Sequence, residues 1–505
     1  MDNVKIGWAI REISMEGPVS IPGQGYQRIS QGIHDPLYAT VMVIDGGEGQ
    51  DAVIFCSCDV VVLSKGTEKM ICEMVAATHP EIPMGNLVMN ATHTHASMNY
   101  WSDSEKSVSG EPMLNGLKTV RPYIAQKVAE AVCEAWDNRY EGGIGYGYGY
   151  AVVGHSRRVC YSEDMSRFGG VMSMAPNGHA IMYGNTNRPA FSHYEAGADH
   201  FLNLMFTFDK DNNLTGIVVN VPCPSQLSEH FKVLSADYWT EVRALVKKEY
   251  GENVFVLPQC AAAGDLAPRI LHYREAQVRR MTLKYNLPYD YTKCYLHAED
   301  EYNKVMAERY DIAERILDGI KDVYSWAKKD IKNQVPVKHV CREMEVERRM
   351  ITEEEKKWCE ENIEAMRQQI PDREHGTPEQ IRVAVSQYES IKGRNERAIA
   401  RFEAQKEQPT LPQRFHVVQI DDICFSTTRF ELFQDFMHRL QARSPFIQTF
   451  VIQMGGEEES CYLSTERAQK NKGYSASLFC NQVSAYGGQQ WVEESLKILN
   501  EMKQS

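Results

Sequence analysis

The stretch Leu87-Val88-Met89-Asn90-Ala91-Thr92-His93-Thr94-His95 is an apolar run that ends in two histidines spaced i, i+2. In an extended chain alternate side chains share a face, which sets His93 and His95 about 6–7 Å apart at Cβ and pointing the same way. Two imidazoles so placed can hold one divalent metal, or one can hold it while the other orients a water or a substrate. The plainer alternative is a pair of strand-end histidines that cap neighbouring carbonyls.

Four other places suit a site. Asn220-Val221-Pro222-Cys223-Pro224-Ser225-Gln226 sets a thiol between two prolines after an apolar strand. Such a stiff turn suits a metal ligand or a nucleophile, although cysteine is also among the most buried residue types. In Gln259-Cys260-Ala261-Ala262-Ala263-Gly264-Asp265-Leu266-Ala267-Pro268-Arg269, small residues allow close backbone approach to a ligand. Asp265 can orient its neighbours by accepting backbone N–H groups, as it would in an ordinary turn. Thr428-Arg429-Phe430-Glu431-Leu432 reads as a strand-to-helix junction with Glu431 in the first helical turn, where capping explains a carboxylate as readily as metal binding does. Last, the acidic loop Gly455-Gly456-Glu457-Glu458-Glu459-Ser460-Cys461 delivers Tyr462 onto a short strand.

The elements that must position these groups are of mixed type. Residues 1–269 alternate apolar strand-like runs (Tyr38–Ile44, Ala52–Cys58, Leu202–Phe208, Thr215–Val221, Val254–Pro258) with helix-like segments at Gly66–Thr78, Arg121–Asn138 and Ser235–Tyr250, the last with Ser235 as its expected N-cap. Gly142–Tyr150 alternates glycine with larger residues and reads as a twisted strand rather than a phosphate loop, since no helix start follows it. Residues 270–411 are rich in Glu, Lys, Arg, Ala and Met at helical spacing and are expected to form a helical insertion, over the site or at a homo-oligomeric interface. Strand signal returns over 412–505, with a hairpin expected across Asp421-Asp422. The expected fold is α/β: a mixed sheet core flanked by helices, built from 1–269 and 412–505 and interrupted by the helical insertion.

At 505 residues, 43% hydrophobic and 24% charged, the composition is that of a soluble globular protein. A formal charge of -13 argues against nucleic acid or an anionic membrane as partner. No run approaches the roughly 18 apolar residues that span a bilayer. The 13 cysteines are odd in number and scattered, which suits reduced thiols and a cytoplasmic setting.

Taken in order, these segments resemble the amidohydrolase domain of the neutral (non-lysosomal) ceramidase family. Gly7-Trp8-Ala9-Ile10 looks like its opening strand, followed by Gly25-Tyr26-Gln27-Arg28, His34-Asp35-Pro36-Leu37-Tyr38-Ala39 and Asp59. Thr92-His93-Thr94-His95 looks like its most specific motif, and Gly264-Asp265-Leu266-Ala267-Pro268 is similar to its Gly-Asp-Val-Ser-Pro segment. Glu431 and Tyr462 fall where the family has a metal-binding glutamate and tyrosine. The resemblance covers about 1–270 and 412–500. It implies a zinc site, or one for another divalent metal, with His93, Glu431 and Tyr462 as ligands and His95 facing water or substrate. Cys223 stands near the family's second zinc histidine, with His230 as the alternative. The family's nucleophilic serine corresponds to Ala267, so a metal-activated water would have to attack, with His95 or Asp265 as general base. Arg157, Arg158 and Arg188 resemble arginine-bearing family segments and are expected to bind substrate.

Three functions remain open on these residues. The first is a metal-dependent hydrolase of an amide or related acyl bond in a small polar N-acylated or sugar-derived molecule. The second uses Cys223 as a covalent nucleophile. The third is a catalytically degenerate relative that binds a ligand or metal without chemistry.

Overall fold

The computed structural model describes residues 2–166, 178–287, 298–456 and 461–504. Its largest sheet has eight strands: β1 (Lys5–Glu12), β2 (Tyr38–Asp45), β3 (Ala52–Cys58), β4 (Leu87–Ala91), β5 (Tyr140–Tyr150), β6 (Phe201–Asp209), β7 (Leu214–Val221) and β8 (Phe255–Cys260). They lie in the order β8-β7-β6-β5-β1-β2-β3-β4. The outermost pairs, β7 with β8 and β3 with β4, are parallel, and the others are antiparallel. Parallel ends bring the C-termini of β4, β7 and β8 out with their following turns, where the candidate residues sit.

Both faces of this sheet are apolar. Along β2, Val41 and Val43 join one core while Met42 and Ile44 join another, and β3 divides Ile54, Cys56 and Cys58 from Val53 and Phe55 in the same way. Strands covered on both sides need such continuous apolar runs. Helices α1 (Lys65–Thr78), α2 (Arg121–Asp137), α3 (Trp239–Tyr250) and, after α4 (Arg274–Tyr285), α5 (Ala298–Ala327) contribute to the first core. A second sheet covers the other face. It comprises β9 (Val337–Glu347), β10 (Thr410–Ile420), β11 (Ile423–Thr427) and, after the short β12 (Glu431–Leu432), β13 (Gln448–Ile452). Phe425 links the sheets, with ring centroids 5.0 Å from Phe55 and 4.4 Å from Phe450. On its far side Phe415, Val417 and Val451 pack with Phe436 and Leu440 of α8 (Gln434–Arg443) and Trp491 of α9 (Ala485–Gln504). The order is therefore helices, sheet, sheet, helices. The chain is mixed α/β, as expected, but the C-terminal strands complete the core by stacking a second sheet rather than by extending the first.

Three local expectations are corrected. The stretch 270–411 holds α4, α5, α6 (Glu353–Met366) and α7 (Pro378–Ala404), but β9 lies inside it and pairs with β10 along its whole length. Glu343, Glu345 and Glu347 face solvent on this edge strand, and such edge charges imitate a solvated helix in sequence. Second, α3 starts at Trp239; the Ser235 hydroxyl instead donates to Asp35 at 2.9–3.0 Å. Third, Glu431 lies on the short strand β12, and α8 begins only at Gln434. The glycine-rich β5 is a strand, and its composition has a packing reason. A Cβ at Gly147 would fall 2.1 Å from the Trp326 ring and one at Gly149 2.8 Å from Val323, so α5 lies flat only on bare backbone. Among the described residues no helix is long and apolar enough to cross a membrane.

Candidate functional site

His93 lies two residues past the end of β4, with φ of 61°, in the left-handed region. The two histidines therefore meet across a turn rather than as neighbours on one strand face. Their Nε2 atoms are 3.3 Å apart and the ring planes cross at 81°. A left-handed residue with a Cβ costs roughly 1–2 kcal/mol, and such strain tends to collect at functional positions. The fit around His95 is tight as well: a Cβ at Gly23 would lie 2.5 Å from its ring.

The partners of the two rings determine where the protons sit. His93 Nδ1 is 2.6 Å from the Val61 carbonyl, which only accepts, so Nδ1 carries a hydrogen and Nε2 is the atom turned to the other site groups. The Gln226 carbonyl oxygen receives Arg157 Nη1 at 3.5 Å and the Tyr183 hydroxyl at 3.3 Å. That orients the Gln226 amide nitrogen to donate to His95 Nε2 at 2.7 Å. His95 Nε2 is then an acceptor, and Nδ1 holds its hydrogen towards Glu229 Oε2 at 3.4 Å. Glu431 Oε2 approaches His93 Nε2 at 3.4 Å. His93 Nε2 thus lies within 3.4 Å of both His95 Nε2 and Glu431 Oε2, at the centre of a buried polar cluster.

Glu431 and Tyr462 are brought together by the parallel pairing of β12 with β14 (Tyr462–Leu463), in which they are register partners. Arg157 Nη2 donates to the Tyr462 hydroxyl at 3.1 Å and to the Gly264 carbonyl at 2.9 Å, and lies 3.8 Å from Glu431 Oε2. Burial pushes the Glu431 carboxyl up, but His93 and Arg157 outweigh it and hold it below its ordinary pKa. Burial raises the Tyr462 phenol well above its ordinary value against the opposing charge of Arg157. Burial also depresses His95 to about 4, so its ring is neutral at pH 7. Glu229 is depressed to about 2: burial opposes this, and the His95 hydrogen bond and the Arg269 charge prevail. Arg269 Nη1 is 2.6 Å from the other Glu229 oxygen.

The remaining candidates lie elsewhere. Cys223 is buried with its thiol directed at the Pro224 carbonyl, 3.4 Å away, and burial pushes its pKa well above the ordinary thiol value. From that turn the Gln226 side chain meets the His95 ring and the Ser225 carbonyl accepts the His95 N–H at 3.3 Å, whereas the Cys223 thiol turns to Pro224. His230 sits half out in a surface cavity, its Nε2 3.9 Å from Glu229. Asp265 accepts the Gln434 backbone N–H at 3.3 Å, and burial raises its carboxyl to about 6; it supports the Gly264 turn rather than facing the rings. Ala267 is fully buried on a two-residue strand paired with His155–Ser156. Arg158 points into a buried pair with Glu195, and Arg188 pairs with Glu163 at the surface, so neither joins Arg157. The acidic residues at 457–459 lie outside the described residues.

Sequence reasoning missed Gln226, Glu229, Arg269 and Arg28, whose guanidinium donates to the His95 carbonyl at 2.5 Å. Gln226 closes the turn already singled out and Glu229 follows just beyond it, and polar residues after a strand end were the available signal. Gly264 also has a defined task. A Cβ there would lie 2.5 Å from the Glu431 carbonyl oxygen, so Gly264→Ala is expected to displace β12 and cost about 1–3 kcal/mol of stability. Chemical denaturation of the variant checks this, and an unchanged midpoint would refute the close approach.

Among the described residues no three His, Cys, Asp or Glu side chains converge as a metal cage by themselves. A cation here would need the Tyr462 phenol together with His93 Nε2 and Glu431 Oε2. That set of one nitrogen and two oxygens suits zinc or a similar divalent ion.

Compared by sequence, the chain matches no protein family model and no curated protein. Compared by structure, it is similar to neutral ceramidase from Pseudomonas aeruginosa, with a TM-score of 0.65 and 13% identity over 99% of this chain and 75% of that one. It is likewise similar to a ceramidase complexed with C2, with a TM-score of 0.66 and 13% identity over 100% of this chain and 76% of the other. The likeness runs through 270–411 as well as the two stretches that carry the motifs. The chain has the fold of neutral ceramidase.

Proposed function

We propose that this protein is a metal-dependent hydrolase that cleaves an amide or related acyl bond of a small polar substrate. One observation carries the reading: the buried His93 Nε2 lies 3.3 Å from His95 Nε2 and 3.4 Å from Glu431 Oε2. His93 Nε2, Glu431 Oε2 and the Tyr462 oxygen would hold the cation. When bound, a divalent ion such as zinc supplies polarisation of a carbonyl and a lowered pKa of water. His95, neutral and with Nε2 unprotonated, takes the proton of the attacking water once its hydrogen bond from Gln226 gives way, and returns it to the leaving amine. Glu229, anchored by Arg269, holds the His95 ring in the tautomer this needs, and Arg157 keeps the Glu431 carboxylate charged. Water is the attacking group because Ala267 has no nucleophilic atom. The described cysteines are all unbridged thiols, which supports the cytoplasmic setting.

Metal analysis of the purified protein is expected to give one divalent ion per chain, lost on His93→Ala, and a panel of N-acyl amines should be hydrolysed only by metal-loaded protein. Full turnover by metal-free protein would remove the cation from the reading. Metal binding with no turnover on any amide would instead favour a degenerate binding protein, the reading that Ala267 supports.

A covalent role for Cys223 requires a reachable thiolate. Burial and the raised pKa oppose both, so iodoacetamide should leave Cys223 unmodified in the native protein and alkylate it only after unfolding, as read by peptide mass spectrometry. Rapid native labelling with loss of activity would restore the thiol mechanism.

A further inference from the structure

A cavity of about 330 Å³ lies against the outer part of the histidine network, lined among others by Tyr183, His230, Arg269, Arg274, Lys304 and Glu308. Two of these are already site residues. The Tyr183 hydroxyl donates to Gln226, which touches His95, and Arg269 pairs with the Glu229 that holds His95. A molecule seated here is therefore two side chains from the reacting nitrogens. The volume is at the small end of ligand pockets, which run from about 300 to 1,000 Å³. Its apolar walls are only Ile270, Leu271 and Val305. A long alkyl chain finds little surface to bury.

The charges in this cavity are unequally committed. Arg269 is held by Glu229 and by the carbonyls of Gln226 and Leu227. Lys304 lies 3.7 Å from Glu308 on the next turn of α5. Arg274, at the start of α4, spends only Nε, which donates to the Leu271 carbonyl at 3.1 Å. Among the described residues no carboxylate lies within ion-pair distance of its guanidinium. A planar fork with its outer nitrogens available matches a carboxylate in bidentate fashion.

We infer that this cavity is the polar subsite of the protein and takes a small amide that carries a carboxylate, received by Arg274. The hydrolytic use of that subsite rests on the function proposed above; the binding does not. Ligand-observed NMR titration of the full-length protein with N-acetylglycine and with the uncharged N-acetylethanolamine tests it. The carboxylate is expected to bind about tenfold more tightly, an effect of the size of one charge-assisted hydrogen bond. Arg274→Gln should abolish that preference, while Arg373→Gln, on a distant surface pair with Glu389, should retain it. Equal affinity for the two amides, or a preference that survives Arg274→Gln, would overturn the subsite. Selective binding without turnover would leave it standing and sink the hydrolase, whereas turnover without charge preference would do the reverse.

Discussion

His95→Gln is expected to lower kcat by about 10²–10⁴-fold, the usual weight of a positioned general base. A glutamine keeps a polar group of similar size facing Glu229 but cannot take a proton at the position of Nε2. Metal content should persist, because His93, Glu431 and Tyr462 are untouched, and this separates a proton-transfer role from a ligand role. Steady-state kinetics paired with metal analysis of the same preparation decides the case. Unchanged kcat would remove His95 from the chemistry, and loss of the metal along with activity would make it a ligand instead. Since Glu229 contacts His95 on its other nitrogen, Glu229→Gln should lower the rate in the same direction and by less.

The second large effect is on stability. Arg158 is fully buried, with Nε 2.5 Å and Nη2 3.1 Å from the two oxygens of Glu195, and it also donates to the Lys472 carbonyl and the Ser475 hydroxyl. Arg158→Met removes the buried counter-charge and leaves the Glu195 carboxylate with the Asn471 amide at 3.0 Å, at a cost of about 3–5 kcal/mol. Denaturant unfolding should show it as a lower midpoint, with kcat/KM per folded molecule nearly unchanged. A variant as stable as the parent with a raised KM would return Arg158 to substrate binding. The pH dependence carries the same sign. Burial pushes the Glu195 carboxyl up, but Arg158 outweighs it and holds the folded pKa below the ordinary value. The pair therefore stabilises the fold above the ordinary carboxylate pKa of about 4.3 and loses that contribution as pH falls through the depressed folded value. Arg158→Met should lose this acid-side slope.

Arg157 and Arg158 also show where sequence reasoning stops. Neighbours in an extended segment point to opposite faces, so one of the two had to turn away from whatever the other faced. Nothing local to His155-Ser156-Arg157-Arg158 says which. The choice was made by Glu431 and Tyr462 on one side and Glu195 on the other, all distant in the chain. Gln226, Glu229 and Arg269 were hidden for a related reason: a glutamine or glutamate in a turn is ordinary until a histidine from another strand is placed against it. The edge strand β9 misled in a different way, because its exposed face carries the charges that a solvated helix would carry.

By itself the sequence determined the mixed α/β class, the positions of most strands and helices, and the order in which His93, His95, Glu431 and Tyr462 follow one another. Period-two alternation and apolar runs express local burial, which is written along the chain. Only the tertiary structure decided that the C-terminal strands stack as a second sheet, that His93 turns through a left-handed conformation to meet His95, and that the Gln226 side chain rather than Cys223 reaches the His95 ring. Those outcomes depend on contacts between separate segments of the chain, and the free energy of such contacts belongs to the pair rather than to either stretch of sequence.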